Sequence, residues 1–119
     1  MTQEYVVANV DELPEGRHIV VEVQGREIGL FNVRGQYYAL PNACFHQNGP
    51  LCRGATSGTV VANASTDWRR TWALDGEVVV CPWHSLEFHV PTGQCLAYPK
   101  RKLPTWQTRV DGAYIKVSM

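Results

Sequence analysis

Cys44-Phe45-His46 and Cys81-Pro82-Trp83-His84 are separated by 34 residues, and each places one thiolate and one imidazole within a short stretch of chain. Two such turns folded against each other present two sulfurs and two ring nitrogens. That donor set suits a structural zinc ion, or a 2Fe-2S cluster in which two His replace two Cys on one of the irons. The bland alternative is small buried cysteines beside incidental histidines. It suits a lone Cys-x-His better than two of them, each beginning just after a strand-like run and flanked by Pro or Gly. Small zinc modules usually show two residues between the ligands of each half and use the metal to compensate for a weak core. Here one residue intervenes in the first half and two in the second. Spacing alone disfavours zinc without excluding it. His18 and His89 have no such context and stay outside the site.

The chain bounds what this site can serve. Its 119 residues make one domain, with a core but without room for several catalytic modules. Lys plus Arg and Asp plus Glu number 11 each, which argues against a nucleic-acid footprint or a polybasic membrane anchor. No signal peptide is visible at Met1-Thr2-Gln3-Glu4-Tyr5, and no apolar run approaches the roughly 20 residues of a spanning helix. A cytoplasmic location is the expectation, and in that reducing compartment four cysteines point to metal or redox chemistry before disulfides.

The elements that must position the ligands read as all-β. His18–Val23, Glu27–Val33 and Gln36–Leu40 are separated by turn signals at Gln24-Gly25 and Arg34-Gly35, a meander leading into the first motif. Glu77–Val80 is a short apolar strand delivering Cys81. Leu86–Val90 alternates and ends at the turn Pro91-Thr92-Gly93. Thr105–Val110 and Ala113–Val117, split by Asp111-Gly112, form a closing hairpin. Between the motifs, a strand-like Gly58–Val61, a polar loop Asn63–Asp67 and an aromatic-basic Trp68-Arg69-Arg70-Thr71-Trp72 suggest an extra hairpin. No segment carries a convincing helical period.

With these residues in view, the sequence resembles the Rieske ferredoxin family. The resemblance rests on Cys44-Phe-His46-Gln-Asn-Gly-Pro-Leu51, on Cys81-Pro-Trp-His84 ahead of a strand, and on Pro91-Thr-Gly93. It extends to Val10–Gly16, to the Tyr-Ala-Leu strand entering the first motif and to the final hairpin, so it covers nearly the whole chain. It implies an all-β, antiparallel sandwich or barrel with a small cluster-binding subdomain. The domain would be 1–119, its cluster-binding part roughly 42–100, with an insertion at about 53–76. It implies one 2Fe-2S cluster, with Cys44 and Cys81 on the inner iron and His46 and His84 on the outer iron near the surface. Tyr98–Pro104 falls where the family has a proline-containing loop over the cluster. The implied role is that of a one-electron carrier, not an enzyme, fed by a flavoprotein reductase and emptied by a terminal oxygenase. Nucleic acid and membrane are not expected partners. Two alternatives are a tightly held small subunit of a larger enzyme, such as nitrite reductase, and, from another class, a zinc-stabilised binding module.

The chain departs from the family pattern in several places. The segment between the motifs is about twice the usual length, and Ser85 replaces the Gly that normally follows the second His. Cys52 and Cys95 are additional cysteines. The inter-loop disulfide of respiratory relatives would fall at Gly49 and Trp83, so Cys52 and Cys95 are expected to be free or buried thiols. Lys100-Arg101-Lys102 is either a solvated loop or a basic run facing an acidic partner. Two ferric ions, two sulfides and two thiolates sum to zero charge, and neutral imidazoles add none. Reduction is therefore easier than at an all-thiolate cluster, with the electron expected on the His-bound iron. High-potential relatives supply Ser and Tyr hydroxyls shortly after the second His, where this chain has Leu86 and Phe88, which cannot donate. The midpoint is accordingly expected near the low end of the family span of about −150 to +300 mV, and to fall at alkaline pH as the ligand N–H groups deprotonate. Protein-film voltammetry checks both: a midpoint above about +100 mV would contradict the first, a flat alkaline limb the second.

Overall fold

The computed structural model describes residues 3–43, 56–62, 64–82, 86–98 and 100–119. Its strands are β1 (Glu4–Asn9), β2 (His18–Val23), β3 (Arg26–Val33), β4 (Gln36–Pro41), β5 (Thr56–Val61), β6 (Thr71–Val80), β7 (Glu87–His89), β8 (Thr108–Asp111) and β9 (Tyr114–Ser118). They form three antiparallel sheets, β1-β9-β8, β2-β3-β4 and β5-β6-β7. Among the described residues, helix is limited to single 3-10 turns at Val10–Glu12 and Ala64–Thr66.

The meander β2-β3-β4 is built on two-residue turns. Gln24 and Gly25 have φ of 53° and 77°, Arg34 and Gly35 of 52° and 89°. Two successive left-handed residues make the hairpin turn whose twist matches that of the flanking strands. This sheet is the middle layer. Every residue of β3 from Ile28 to Val33 is buried, because alternate side chains serve two different cores. Ile28 and Leu30 pack with Ala8, Leu13, Ile115 and Val117, joining the meander to the sheet of the chain ends. Phe31 and Val33 pack with Val79, Phe88, Val90 and Leu103, joining it to the sheet that carries the second motif. Each such side chain stabilises the fold by roughly 1.5–3 kcal/mol. Asn32, the buried polar residue of β3, is satisfied on both sides: its Nδ2–H donates to the Leu13 carbonyl at 2.9 Å, and its Oδ1 accepts from the Gly35 N–H at 2.8 Å.

The meander, the β7 strand and the extra hairpin stand where the sequence places them. Three boundaries differ. β1 was not expected; it pairs with β9 at the other end of the chain (Tyr5 opposite Val117), a contact without local signal. The closing hairpin is shorter on its first side, since β8 begins at Thr108; Trp106 instead bridges to Ala39 of β4. β6 is ten residues long, because the apolar run Glu77–Val80 continues a strand that starts at Thr71 inside the insertion. The two parts meet at a wide bulge: Ser57 pairs with Val78 and Thr59 with Ala73, so Leu74–Glu77 face the single residue Gly58.

Asn32→Ala is expected to destabilise the protein by about 2–3 kcal/mol in urea denaturation, because it strands the buried Leu13 carbonyl and the Gly35 N–H. Arg109→Ala, which removes an exposed bidentate pair with Glu4, should leave the unfolding midpoint almost unchanged.

Candidate metal centre

Cys81 directly follows β6. It is 0 % exposed, free of any disulfide, and packed in the core cluster that contains Leu40, Val79, Phe88 and Cys95. Its backbone N–H donates to the Leu86 carbonyl at 2.8 Å, which closes the connection between β6 and β7 just beyond the pair Val80–Glu87. The chain therefore leaves the sheet after Val80 and re-enters it from the same end at Leu86.

On the return from the first motif, the described chain reaches that end too. Thr56, where the chain returns from it, pairs with Val79. On the entry side, the Asn42 N–H donates to the Glu27 carbonyl at 3.1 Å and the Trp106 N–H to the Ala39 carbonyl at 3.2 Å. Leu40 shares the core cluster of Cys81. Among the described residues, Cys81 and Leu86 on either side of the second motif and Thr56 on the return from the first thus lie at one end of the β5-β6-β7 sheet.

A third segment reaches the same end. After the turn at Gly93, residues 94–96 run beside β7: the His89 N–H bonds the Gln94 carbonyl at 2.8 Å, the Leu96 N–H bonds the Glu87 carbonyl at 2.9 Å, and Phe88 bridges to Cys95. The chain then returns beside itself, with the Cys95 N–H on the Arg101 carbonyl at 3.0 Å and the Leu103 N–H on the Gly93 carbonyl at 2.8 Å. The described residues on either side of this turn, Leu96 and Arg101, are therefore held at the Glu87 end of β7, next to Leu86. Gly93 is required here. Its φ is +77°, and a Cβ would be driven into the Leu103 carbonyl.

A polar network steadies the strand that delivers Cys81. Arg34 donates from one guanidinium nitrogen to Glu77 Oε2 at 2.8 Å and from the other to the Asp75 carbonyl at 2.6 Å. Glu77 Oε1 lies 3.0 Å from His89 Nε2, and His89 Nδ1 lies 3.0 Å from Thr92 Oγ1. The hydrogen bond from Arg34, and after it the one with His89, holds the Glu77 carboxyl below the usual glutamate range. Sequence reasoning missed this group: Glu77 and Arg34 were unremarkable, and His89 joins them only through the β6–β7 register.

Of the four expected ligands, Cys81 alone lies among the described residues; Cys44, His46 and His84 lie outside them, as do Cys52, Ser85, Gly49 and Trp83. Among the described residues no group of three metal-binding side chains assembles. Cys95 is a buried free thiol, as expected. Leu86 is partly buried and Phe88 wholly so, both in the Cys81 core cluster, so neither position brings a hydroxyl toward the site. A buried, unpaired thiol at the end of a strand fits an iron–sulfur cluster, whose inner iron takes thiolate and is shielded from water.

The chain belongs to the Rieske family: the family model of the Rieske [2Fe-2S] domain matches residues 3–107. Over its full length it is 30% identical to the ferredoxin component of the naphthalene 1,2-dioxygenase/salicylate 5-hydroxylase systems of a Ralstonia species, covering 99% of that protein. Among solved structures it is similar to the ferredoxin of carbazole 1,9a-dioxygenase from Nocardioides aromaticivorans IC177, at 27% identity and a TM-score of 0.71, with 96% of this chain and 95% of that one covered. The fold alone is shared with a chain assigned as the NADH-dependent nitrite reductase small subunit of Mycobacterium tuberculosis, at 22% identity and a TM-score of 0.73, covering 100% and 96%. The chain is therefore an electron carrier with one Rieske 2Fe-2S cluster, which decides against zinc.

Glu77 gives a pH dependence with a defined sign. A carboxyl whose pKa is lowered on folding stabilises the native state fully above its unfolded value, here about 4.5, and that contribution is lost as pH falls through the folded value. Glu77→Gln should lower stability at neutral pH and flatten its decline below about pH 4.5. Thermal denaturation of both proteins from pH 7 downward tests this, and parallel curves would count against it.

Proposed function

We propose that this chain is a cytoplasmic shuttle taking single electrons from a flavoprotein reductase to a terminal oxygenase, with the cluster held by Cys44, His46, Cys81 and His84. The observation that carries the ligand assignment is the buried, unpaired Cys81 at the sheet end that Thr56, on the return from the first motif, also reaches. The bound cluster would supply reversible one-electron storage. The protein's own part is mechanical and electrostatic. β6 and β7 hold the second motif by a backbone bond at its base, the 94–103 segment sets the loop beside it, and apolar side chains keep water from the Cys81 sulfur.

The oxygenase as acceptor is supported by the Ralstonia relative, whose name places it in dioxygenase and hydroxylase systems. Residues 1–119 act as one domain in this reading, with 42–100 as the cluster-binding part and the β5–β6 hairpin as an elaboration of it. The second reading, a small subunit held permanently by a nitrite reductase, is favoured by the Mycobacterium fold neighbour.

Purified protein from an iron-replete host is expected to contain two irons and two sulfides per chain and to bleach with dithionite. Cys81→Ser should lose most of its cluster, while Cys95→Ser should keep it. Retention of a full cluster by Cys81→Ser would sink the ligand assignment. Gel filtration with candidate partners separates the two functional readings, since a shuttle elutes free and a fixed subunit co-elutes.

A further inference from the structure

We propose that the tip of the β5–β6 hairpin, formed by Trp68, Arg69, Arg70 and Trp72, is a second docking element that recognises an acidic, partly apolar surface on an electron-transfer partner; this rests on the carrier reading above. Trp68 is 72% exposed and Trp72 55%, with the exposed Arg69 and Arg70 between them. Trp and Arg are the residues most enriched at the energetic centres of protein interfaces.

Trp72 is anchored. The Trp72 ring lies over Gly58, where a Cβ would stand only 2.8 Å from ring carbons Cε2 and Cζ2. Its Nε1–H donates to Asp75 Oδ1 at 2.9 Å. Asp75 sits in the bulge, which Arg34 binds at the Asp75 carbonyl and at Glu77. A half-exposed indole is thus fixed in place through the meander turn, which reduces the ordering cost of binding. The backbone beside it is strained: Asp67 and Trp68 both have left-handed φ, 54° and 58°. That is an unfavourable region for a bulky residue, and such strain concentrates at recognition sites.

The chemistry of the patch selects its occupant. Two exposed arginines adjacent in the chain and bracketed by exposed tryptophans suit carboxylates set beside an apolar ridge. Nucleic acid is disfavoured, because the chain has zero formal net charge and a pI of about 6.9. A membrane surface is disfavoured too, since two arginines fall short of the clusters of about four to eight cations that bind anionic lipid.

The placement explains why the element would be separate from the electron site. Val61 pairs with Thr71 at the tip and Thr56 with Val79 near Cys81, five strand steps apart, or about 17 Å. Contact at the tip alone leaves a partner far from the cluster end. Contact at both orients it.

The test uses the full holoprotein in three forms: wild type, Arg69→Glu/Arg70→Glu and Trp68→Ala. Purified reductase and terminal oxygenase of the source organism serve as partners, and the carrier concentration at half-maximal turnover is the readout. Both variants should keep the wild-type midpoint potential and visible spectrum. Their half-saturation concentration for at least one partner should rise about tenfold. The effect of the charge reversal should shrink as salt is raised, while that of Trp68→Ala should persist. Unchanged half-saturation in both variants overturns the proposal while leaving the carrier reading intact. Wild-type protein that supports no turnover defeats both. Loss of anionic-vesicle binding, of oligonucleotide binding or of self-association in the variants, with carrier kinetics unchanged, replaces this partner with a membrane, a nucleic acid or a second copy.

Discussion

Burial of β3 on both faces is the constraint on which the other elements depend. A middle sheet with two apolar faces cannot stand alone, so each face needs a cover made of chain from elsewhere. One cover comes from the two ends of the chain, β1 and β9 with β8. The other is the sheet that holds the second motif. The alternation along Ile28, Leu30, Phe31 and Val33 fixes which core each side chain joins, and a slip of one residue would exchange them. Asn32 reinforces the register, since its two hydrogen bonds, to Leu13 and to the Gly35 turn, are made together only in this alignment.

The site inherits its geometry from this frame. Val79 and Phe88 are anchored against Phe31 and Val33 in one cluster, so the end of β6 and the start of β7 are held by the same contacts that hold the fold. Cys81, the residue directly after β6, belongs to the same cluster. A thiolate ligand placed there is supported by packing as much as by its own loop. The segments leading into and out of the turn, at Leu96 and Arg101, are fixed differently, by backbone bonds running back from β7, and a side chain at Gly93 would meet the returning run at Leu103. A carrier needs such rigidity, because electron transfer between weakly bound partners depends on a cluster environment that changes little with redox state.

Much of this was legible in the sequence for physical reasons. The meander carries β-branched alternation and two Gly-containing turns at a spacing near ten residues, signals that are local and redundant. The family was legible because paired Cys–His motifs are rare and their flanks match it. What could not be read depends on contacts far apart in the chain. β1 lacks a turn signal and is specified by β9, more than a hundred residues away. The upstream half of β6 was obscured because Leu74 and Gly76 take left-handed φ, 56° and 76°, breaking the period of a strand that nevertheless continues. Glu77 and His89 meet only through the β6–β7 pairing. For Cys44, His46 and His84 the reading rests on motif and family, since they lie outside the described residues.

The bulge in β6 links the two ends of the hairpin. Leu74–Glu77 stand opposite a single Gly58, and this excess of chain creates two attachments at once. Glu77 and the Asp75 carbonyl turn toward Arg34, clamping the strand that delivers Cys81 to the meander. The Asp75 carboxylate holds the Trp72 indole in its place over Gly58. A flat hairpin of the same length would offer neither, because its side chains would alternate without a residue free to leave the ladder. The inserted segment is therefore not a separate appendage. Its irregular backbone ties an exposed aromatic to the same strand whose end bears a buried thiol, so the proposed docking surface and the proposed cluster ligand stand apart in space without being decoupled in structure.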